Sequence, residues 1–563
     1  MAHAAAEHHA ATFTPKQKQL ALLIVAFAFV MDLLDSTIVN IAIPSIQANL
    51  GASYSAIQWL IAGYSLTFAL LLITGGRMGD VFGYKKMFMI GVGGFTIASL
   101  LGGVAPNIEF LVGARLFQGA MAALMVPQVM SLMQVMYKPK ERAGVMGLFG
   151  MLGGLAASLG PIVGGLLIKA NLFNWDWRPI FLINLPVGIF AMIAGSKYLP
   201  DGKSVHPLHL DLKGTALIMV ALSLLVFPLI EGRELDWPLW IIVMLAASIP
   251  ALMLFGWYEV KKDRADKSAL IVPSLFKIRS FATGIGLNLL VEALMLGYFL
   301  TVTLLMQVGL GYSPIKAALT GVPTAVGMTI GFAVLGQKMI GKFGRNVIPM
   351  ASATFAAGLV YIAWIVTHFS LATEPWHFIP GFLILGIGLS LIMVPIFSAA
   401  LQDVDASHAG SASGILNAVQ QVGGAVGIAI IGVIFFGQLD HAALKSFDDA
   451  SPKLRSDLSA LHVPAQAQDA IVGQVRDCYH DRAAQKDSTI VPESCKKAEA
   501  SAPTDEAGKK VAEAVTNGVK QANANNFASG FRSSVVYVIV MLFVVSILSV
   551  LLPRKLRMSE HAG

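Results

Sequence analysis

Charge is scarce in this sequence. Only 13% of its 563 residues are Asp, Glu, Lys or Arg, about half of the ~25% found in an ordinary soluble domain, and that shortage excludes a soluble enzyme. Cysteine is nearly missing, with two residues in all, and no zinc-spaced Cys/His cluster is present. A Gly-Lys-Ser/Thr phosphate loop and a nucleophile elbow are also missing, so neither enzymatic chemistry nor a bound cofactor or metal is expected. Gly91, Gly93 and Gly94 lie inside an apolar run, where helix packing rather than dinucleotide binding is their reading.

Apolar residues are abundant, at 56% of the chain. That is enough for fourteen helices of ~20 residues, the length needed to cross a hydrocarbon core ~30 Å thick. The net charge of +7 does not point to nucleic acid, because the basic residues sit in short loops between apolar runs. Spans are expected near 20–44, 55–76, 87–105, 108–136, 143–168, 179–199, 212–230, 238–258, 281–308, 316–336, 347–368, 376–400, 413–437 and 533–553. The first run follows a polar tail, 1–19, and has no small-residue cleavage pattern after it, so it reads as a retained span. His3, His8 and His9 belong to that tail and read as part of a disordered segment rather than a metal site.

Lys and Arg crowd the loops on the amino-terminal side, among them Arg77, Lys85, Lys86, Lys261 and Lys262, with Arg554 and Lys555 in the 554–563 tail. The positive-inside rule then places both termini in the cytoplasm of a bacterial inner-membrane protein. The one long polar interruption, 438–532, faces outward between the last two spans. Leu454, Leu458 and Leu461, and Val511, Val515 and Val519, have helical spacing there. Cys478 and Cys495 both fall in it. In an oxidising compartment a bond between them would stabilise the segment by about 3 kcal/mol, the alternative being two unpaired thiols. The segment is a candidate cap or a docking surface for a periplasmic adaptor.

The sequence also repeats itself. Gly79-Asp80-Val81-Phe82-Gly83-Tyr84-Lys85 follows the second span, and Gly341-Lys342-Phe343-Gly344-Arg345 echoes it after the tenth without the acid. Two related halves are implied, a secondary-transporter architecture: a six-helix bundle at 20–199, two extra spans at 212–258, and a second bundle at 281–553.

Ionisable groups deep in a span are costly, so each is a functional candidate. Asp32 and Asp35 lie ~18 and ~22 Å into the first span and share one helical face. Ionising both is expensive, which suits a proton carrier. Arg115, roughly 10 Å into the fourth span from the other side, matches Asp35 in depth. Their pairing could couple protonation to rearrangement, or could be a static ion pair. Glu292 sits ~16 Å into the ninth span, where it exchanges protons, meets a cationic substrate, or serves as a hydrogen-bonded structural acid. Asn40, Trp59, Gln118, Asn288, Tyr298, Asn417 and Gln420 are candidates for lining a substrate cavity, with interhelical bonding or packing the alternative for each. In the fifth span, Gly150, Gly154, Gly160, Pro161, Gly164 and Gly165 permit close backbone approach and a bend, serving either packing alone or control of opening.

Taken together, the sequence resembles the major facilitator superfamily, specifically its fourteen-span drug:proton antiporters. Leu34-Asp35-Ser36-Thr37-Ile38-Val39-Asn40-Ile41-Ala42-Ile43-Pro44 looks like that family's first-span signature. The run from Gly76 through Arg77, Gly79, Asp80, Gly83, Lys85 and Lys86 resembles its loop after span two. Arg115-Leu116-Phe117-Gln118-Gly119 is similar to its fourth-span motif, the Gly150–Gly165 run to its fifth-span antiporter motif, and Trp177-Arg178-Pro179 onward to its entry into span six. The resemblance implies an all-α major facilitator fold and export driven by a proton gradient. Asp35 and Asp32 would carry protons beside Arg115, and Asp80 would act as a conformational latch against the start of span thirteen, near 410–414. The implied cargo is small lipophilic, cationic compounds, with the lipid bilayer as the surroundings and no nucleic acid. A dedicated exporter of a lipid, siderophore or other metabolite on the same fold is the alternative.

Overall fold

The computed structural model describes residues 15–137, 139–202, 211–232, 235–266, 269–404, 409–484, 491–500 and 506–554, and these form helices and connecting turns, with no strand among them. A chain surrounded by lipid must satisfy its backbone internally, and helices do so within each segment. The first bundle comprises α1 (Pro15–Leu50), α2 (Tyr54–Phe82), α3 (Tyr84–Gly103), α4 (Ile108–Met136), α5 (Pro139–Ala170) and α6 (Asn184–Tyr198). A hairpin follows, α7 (Leu212–Glu231) and α8 (Leu239–Asp266). The second bundle begins with α9 (Arg279–Leu304), α10 (Pro314–Ile330), α11 (Val347–Phe369) and α12 (Pro375–Leu401).

Local sequence sets several starts. Ser53 caps α2 by accepting from the Ala56 N–H at 3.2 Å, and Asn107 caps α4 by accepting from Phe110 at 2.9 Å. Ser313, followed by Pro314 in the first turn, opens α10. Twelve of the described helices are long and apolar enough to cross a bilayer. By that measure α5 offers only the shorter apolar stretch Leu159–Ala170, and α10 stops at Ile330 in a π turn before the helix Gly336–Phe343.

The segment between the last two spans is helical rather than an extended loop: α13 runs unbroken past Gln438, from Ala409 to Ala460, and the last span belongs to a helix, α16, that starts at Glu506 and ends at Leu548. Between them lie α14 (Ala465–Ala484) and α15 (Glu493–Ala500). Polarity rises after Gln438, yet Ala443, Phe447, Ala450, Leu454 and Leu458 keep a buried helical stripe against Val472, Val475, Tyr479, Ala514 and Ala522. The segment is a helical cap with its own core, and a Cys478–Cys495 disulfide ties α14 to α15.

The two bundles meet where α2 packs on α13 and α5 on α10, and α7 leans on both α2 and α13. At the cap end they share one apolar core, in which Ile38–Ile46 of α1 and Ile57–Leu70 of α2 join residues of α9 and α13. Away from the cap, the first bundle keeps a separate core built from Ala21–Met31, Phe88–Phe95 and Ala122–Met136. Outermost in the hairpin, α8 exposes Ile242, Val243, Ile249, Met253, Leu254 and Trp257, the surface expected against lipid.

Candidate functional site

Helices α1, α2, α3, α4 and α6 bring one polar network into the first bundle. Asp35 is 1% exposed and is held from three sides. Arg115 Nη1 donates to its Oδ2 at 2.5 Å, while Gln118 Nε2 and Asn184 Nδ2 donate to its Oδ1 at 2.9 and 2.7 Å. Gln118 and Asn184 also donate to Ser99 Oγ, at 2.9 and 3.1 Å, so α3 and α6 fix the donors that fix the acid. The i, i+3 spacing of Arg115 and Gln118 on α4 delivers both to one carboxylate, and Arg115 Nη1 lies 2.6 Å from Gln118 Oε1. Its Nε donates to the Leu60 carbonyl of α2 at 3.2 Å. A buried ion is tolerated only when neutralised and fully hydrogen-bonded, and this geometry meets that condition.

Asp32, one helical turn from Asp35, belongs to the same assembly through Tyr64. The Tyr64 hydroxyl donates to Asp32 Oδ1 at 2.5 Å, and the Arg115 guanidinium stacks 4.2 Å from the centre of the same ring. Tyr64 therefore bridges the second carboxylate and the cation. Asp35, Arg115 and Asp32, singled out by their depth in the sequence, are brought together. Ser99 was not singled out, since a lone Ser in an apolar helix gives no signal. Asn184 signals only as an uncharged polar group within a span, and Tyr64 only as one of the aromatics suited to a cavity lining.

The second bundle holds a sparser site. Glu292 of α9, 9% exposed, accepts from Gln420 Nε2 of α13 at 3.0 Å. One turn before it, Asn288 is 1% exposed and its Nδ2 has no hydrogen-bond partner among the described residues. Gly423 lets α13 approach here, since a Cβ at that position would lie 3.1 Å from Glu292 Cβ. The other cavity candidates are dispersed. Gln118 is committed to Asp35, Trp59 turns toward the hairpin and donates to Glu231 Oε1 at 2.8 Å, and Tyr298 is buried edge-on against Phe355. Asn40 is partly buried on α1 and Asn417 is exposed on α13.

The two glycine motifs take separate positions. In α5, a Cβ on Gly160 would come within 2.0 Å of Thr37 Oγ1, on Gly164 within 2.6 Å of Ile41 Cγ2, and on Gly165 within 2.9 Å of Ile315 Cα in the other bundle. The stretch with Pro161 thus wedges α5 between the Asp35 helix and α10. The surroundings of Gly150 and Gly154 fall outside the described positions. The expected loop 77–86 is mostly helix: α2 continues to Phe82 and breaks only at Gly83, whose φ of 103° is open to glycine. Gly76 faces Pro127 and Gly79 faces Gln128 of α4. Arg77, buried, donates to the Ala269 carbonyl beyond α8, Asp80 accepts from the Tyr84 hydroxyl at 2.9 Å, and Lys85 lies 3.7 Å from Asp201. Lys86 is exposed. Burial raises the Asp80 carboxyl above its usual range, with Tyr84 and Arg77 opposing. The expected contact of Asp80 at 410–414 falls largely on side chains outside those described.

The sequence profile described as Major Facilitator Superfamily matches residues 25–428. A protein of Streptomyces coelicolor named "Probable actinorhodin transporter" is 39% identical over 96% of this chain and 92% of its own length. The "Tetracenomycin C resistance and export protein" of Streptomyces glaucescens is 32% identical over 73% of this chain and 75% of that protein. "Multidrug resistance protein Stp" of Mycobacterium tuberculosis is 29% identical over 77% and 79%. Among solved structures, a bacterial homologue of the human lysosomal transporter Spinster superimposes with a TM-score of 0.56 at 14% identity, covering 97% of this chain and all of that one. That likeness establishes the fold.

Proposed function

This chain belongs to the Major Facilitator Superfamily, and from that premise we propose that it is a proton-coupled multidrug efflux antiporter exporting lipophilic, cationic compounds by alternating access. As a multi-pass membrane transporter it performs no enzymatic reaction. The observation that carries the coupling is the buried Asp35–Arg115 pair with Asp32 attached through Tyr64. A proton on either acid removes a charge that Arg115 neutralises, and the network must then rearrange, which biases the balance between two conformations. Cation selectivity rests on Glu292, an anion with one hydrogen bond and no basic partner among the described contacts. Asn288 and Gln420 beside it supply hydrogen bonds to polar atoms of a substrate. Shared packing at the cap end and separate cores at the other support a cavity that opens away from the cap.

In this reading the cap faces the periplasm and both termini the cytoplasm, the membrane is the bacterial inner membrane, and a proton gradient is the sole energy source. Residues 438–532 offer a surface for an adaptor. The test is uptake by proteoliposomes of the purified chain under an imposed pH gradient, with a lipophilic cation and a neutral lipophile in parallel. Gradient-driven uptake of both, with only the cation lost in Glu292→Gln, is expected. Equal loss or equal retention of the two removes the role given to Glu292.

A second reading, a dedicated exporter of one metabolite, is favoured by the relative whose match extends over 96% of the chain and which is named for a single compound. Secretion of one metabolite lost on deletion, with drug susceptibility unchanged, would select it.

A further inference from the structure

A second pair of acids lies outside the transport network, where the α7–α8 hairpin joins α2. Asp211 and Glu259 are 3% and 2% exposed. Each has one satisfied oxygen: Asp211 Oδ1 accepts from the Gly214 N–H and the Tyr258 hydroxyl, both at 2.9 Å, and Glu259 Oε2 accepts from the Ile271 N–H at 2.8 Å. Their other oxygens, Asp211 Oδ2 and Glu259 Oε1, are buried without a partner among the described residues. Both orphans converge on one place, because a Cβ on Gly214 would lie 2.5 Å from the first and 2.4 Å from the second. Glycine is what lets the two carboxyl groups face each other there.

Two buried, facing carboxylate oxygens with no donor among the described residues between them repel, and such a pair is accommodated by one shared proton. We propose that Asp211 and Glu259 form a proton-binding site, one carboxylic acid donating to the other carboxylate, that clasps the extra hairpin onto α2. On protonation one O–H bond forms and the pair's charge falls from two negatives to one. On release that proton passes to water. The single remaining negative charge is matched by Arg77, the cation electrostatically coupled to Glu259, whose guanidinium is held by the Ala269 carbonyl. Tyr258 on α8 is the other titratable group at the pair. The segment after α8 contributes the Ile271 N–H, and α13, which also packs on α7, places no titratable side chain there among those described. The clasp reaches α2 again through Thr74 and Thr215, whose hydroxyls are 2.8 Å apart. Arg77 belongs to the basic motif at the end of α2, so the site ties that motif to the two helices that a twelve-span member of this fold would lack.

The site is separate from the transport reading and is tested without flux. Thr74 and Thr215 are replaced together by cysteine in the purified full chain, whose own cysteines are already paired. Oxidative cross-linking then reports whether α7 is docked on α2. Cross-linking is expected to fall as pH rises in this background and to lose that pH dependence in Glu259→Gln, where the amide supplies the missing donor permanently. The infrared difference between the wild-type protein and Glu259→Gln is expected to contain a protonated-carboxyl C=O band. Absence of that band, or an unchanged pH dependence in the variant, overturns the proposal. Stabilisation of the wild type by Na⁺ at fixed pH, lost in Glu259→Gln, overturns it in favour of a metal cation. If Glu259→Gln does not fold, Asp211→Asn serves the same comparison.

Discussion

The two bundles treat their buried acids differently. In the first, Asp35 is gripped by a cation and two amides, themselves held by Ser99 and a backbone carbonyl. In the second, Glu292 has one amide beside it, and a turn away the Nδ2 of Asn288 has no partner among the described residues. A fully satisfied network is rigid and stores its energy in charge pairing, whereas a half-satisfied one leaves hydrogen-bonding capacity for a ligand. The basic motifs differ in parallel. Arg77 of the first bundle is electrostatically coupled to the buried Glu259, while Arg345, which closes the second motif, donates to the carbonyls of Val550 and Leu552, both at 2.5 Å. Under the function proposed above, the first bundle would hold the switching chemistry and the second the recognition chemistry.

Breaking the rigid side should cost most. Arg115→Leu leaves Asp35 buried and unpaired, so a loss of about 3–5 kcal/mol is expected, read as a large drop in melting temperature in detergent. Tyr64→Phe removes one charge-assisted bond to Asp32, worth about 1.5–3 kcal/mol, and should shift the pH profile of transport while leaving binding in place. On the sparse side the pattern reverses. Glu292→Gln keeps a hydrogen-bonding group opposite Gln420 and should change the melting temperature little. Affinity for a lipophilic cation should fall about tenfold or more, matching loss of a ~1.5–3 kcal/mol charged contact, as read by equilibrium binding.

The smallest effect belongs to an exposed acid in the cap. Asp448 is held below its usual range, first by its hydrogen bonds with Arg476, at 2.6 and 3.0 Å, with burial opposing. A carboxyl lowered by folding contributes stability above its unfolded value of about 3.9 and loses it as pH falls through the lower folded value. Acid melting curves of wild type and Asp448→Asn should therefore differ at neutral pH and converge in strong acid, with solvent screening keeping the gap small.

Much of this was legible in the sequence because the bilayer imposes a length and a price. Runs of ~20 apolar residues mark spans, and a charge inside one is too costly to be incidental, which is how Asp32, Asp35, Arg115 and Glu292 stood out. The partners were less visible. Ser99 differs from any other small residue of an apolar helix only through its place opposite Asn184 and Gln118. Asp211 caps α7 and Glu259 stands where the apolar stretch of α8 gives way to charge, places where an acid draws no attention in sequence, and only the packing of Gly214 reveals them as buried and facing. The cap was legible in part, since Leu454, Leu458 and Leu461 have helical spacing, but the rise in polarity after Gln438 conceals that this stripe, with Phe447, continues the α13 helix without a break. Trp59 and Gln118, polar-tipped residues in spans, looked equally suited to a cavity, and three-dimensional pairing alone assigns them to Glu231 and Asp35.

The division of labour between the bundles is tested most directly by recording dye and proton movement together in inverted vesicles, comparing wild type with Asp35→Asn. Wild-type vesicles should take up a cationic dye only with a pH gradient and release protons as they do so, and the variant should bind dye yet move neither. Dye uptake in Asp35→Asn that still dissipates the gradient would contradict the account and take the proton pathway away from the Asp35–Arg115 pair.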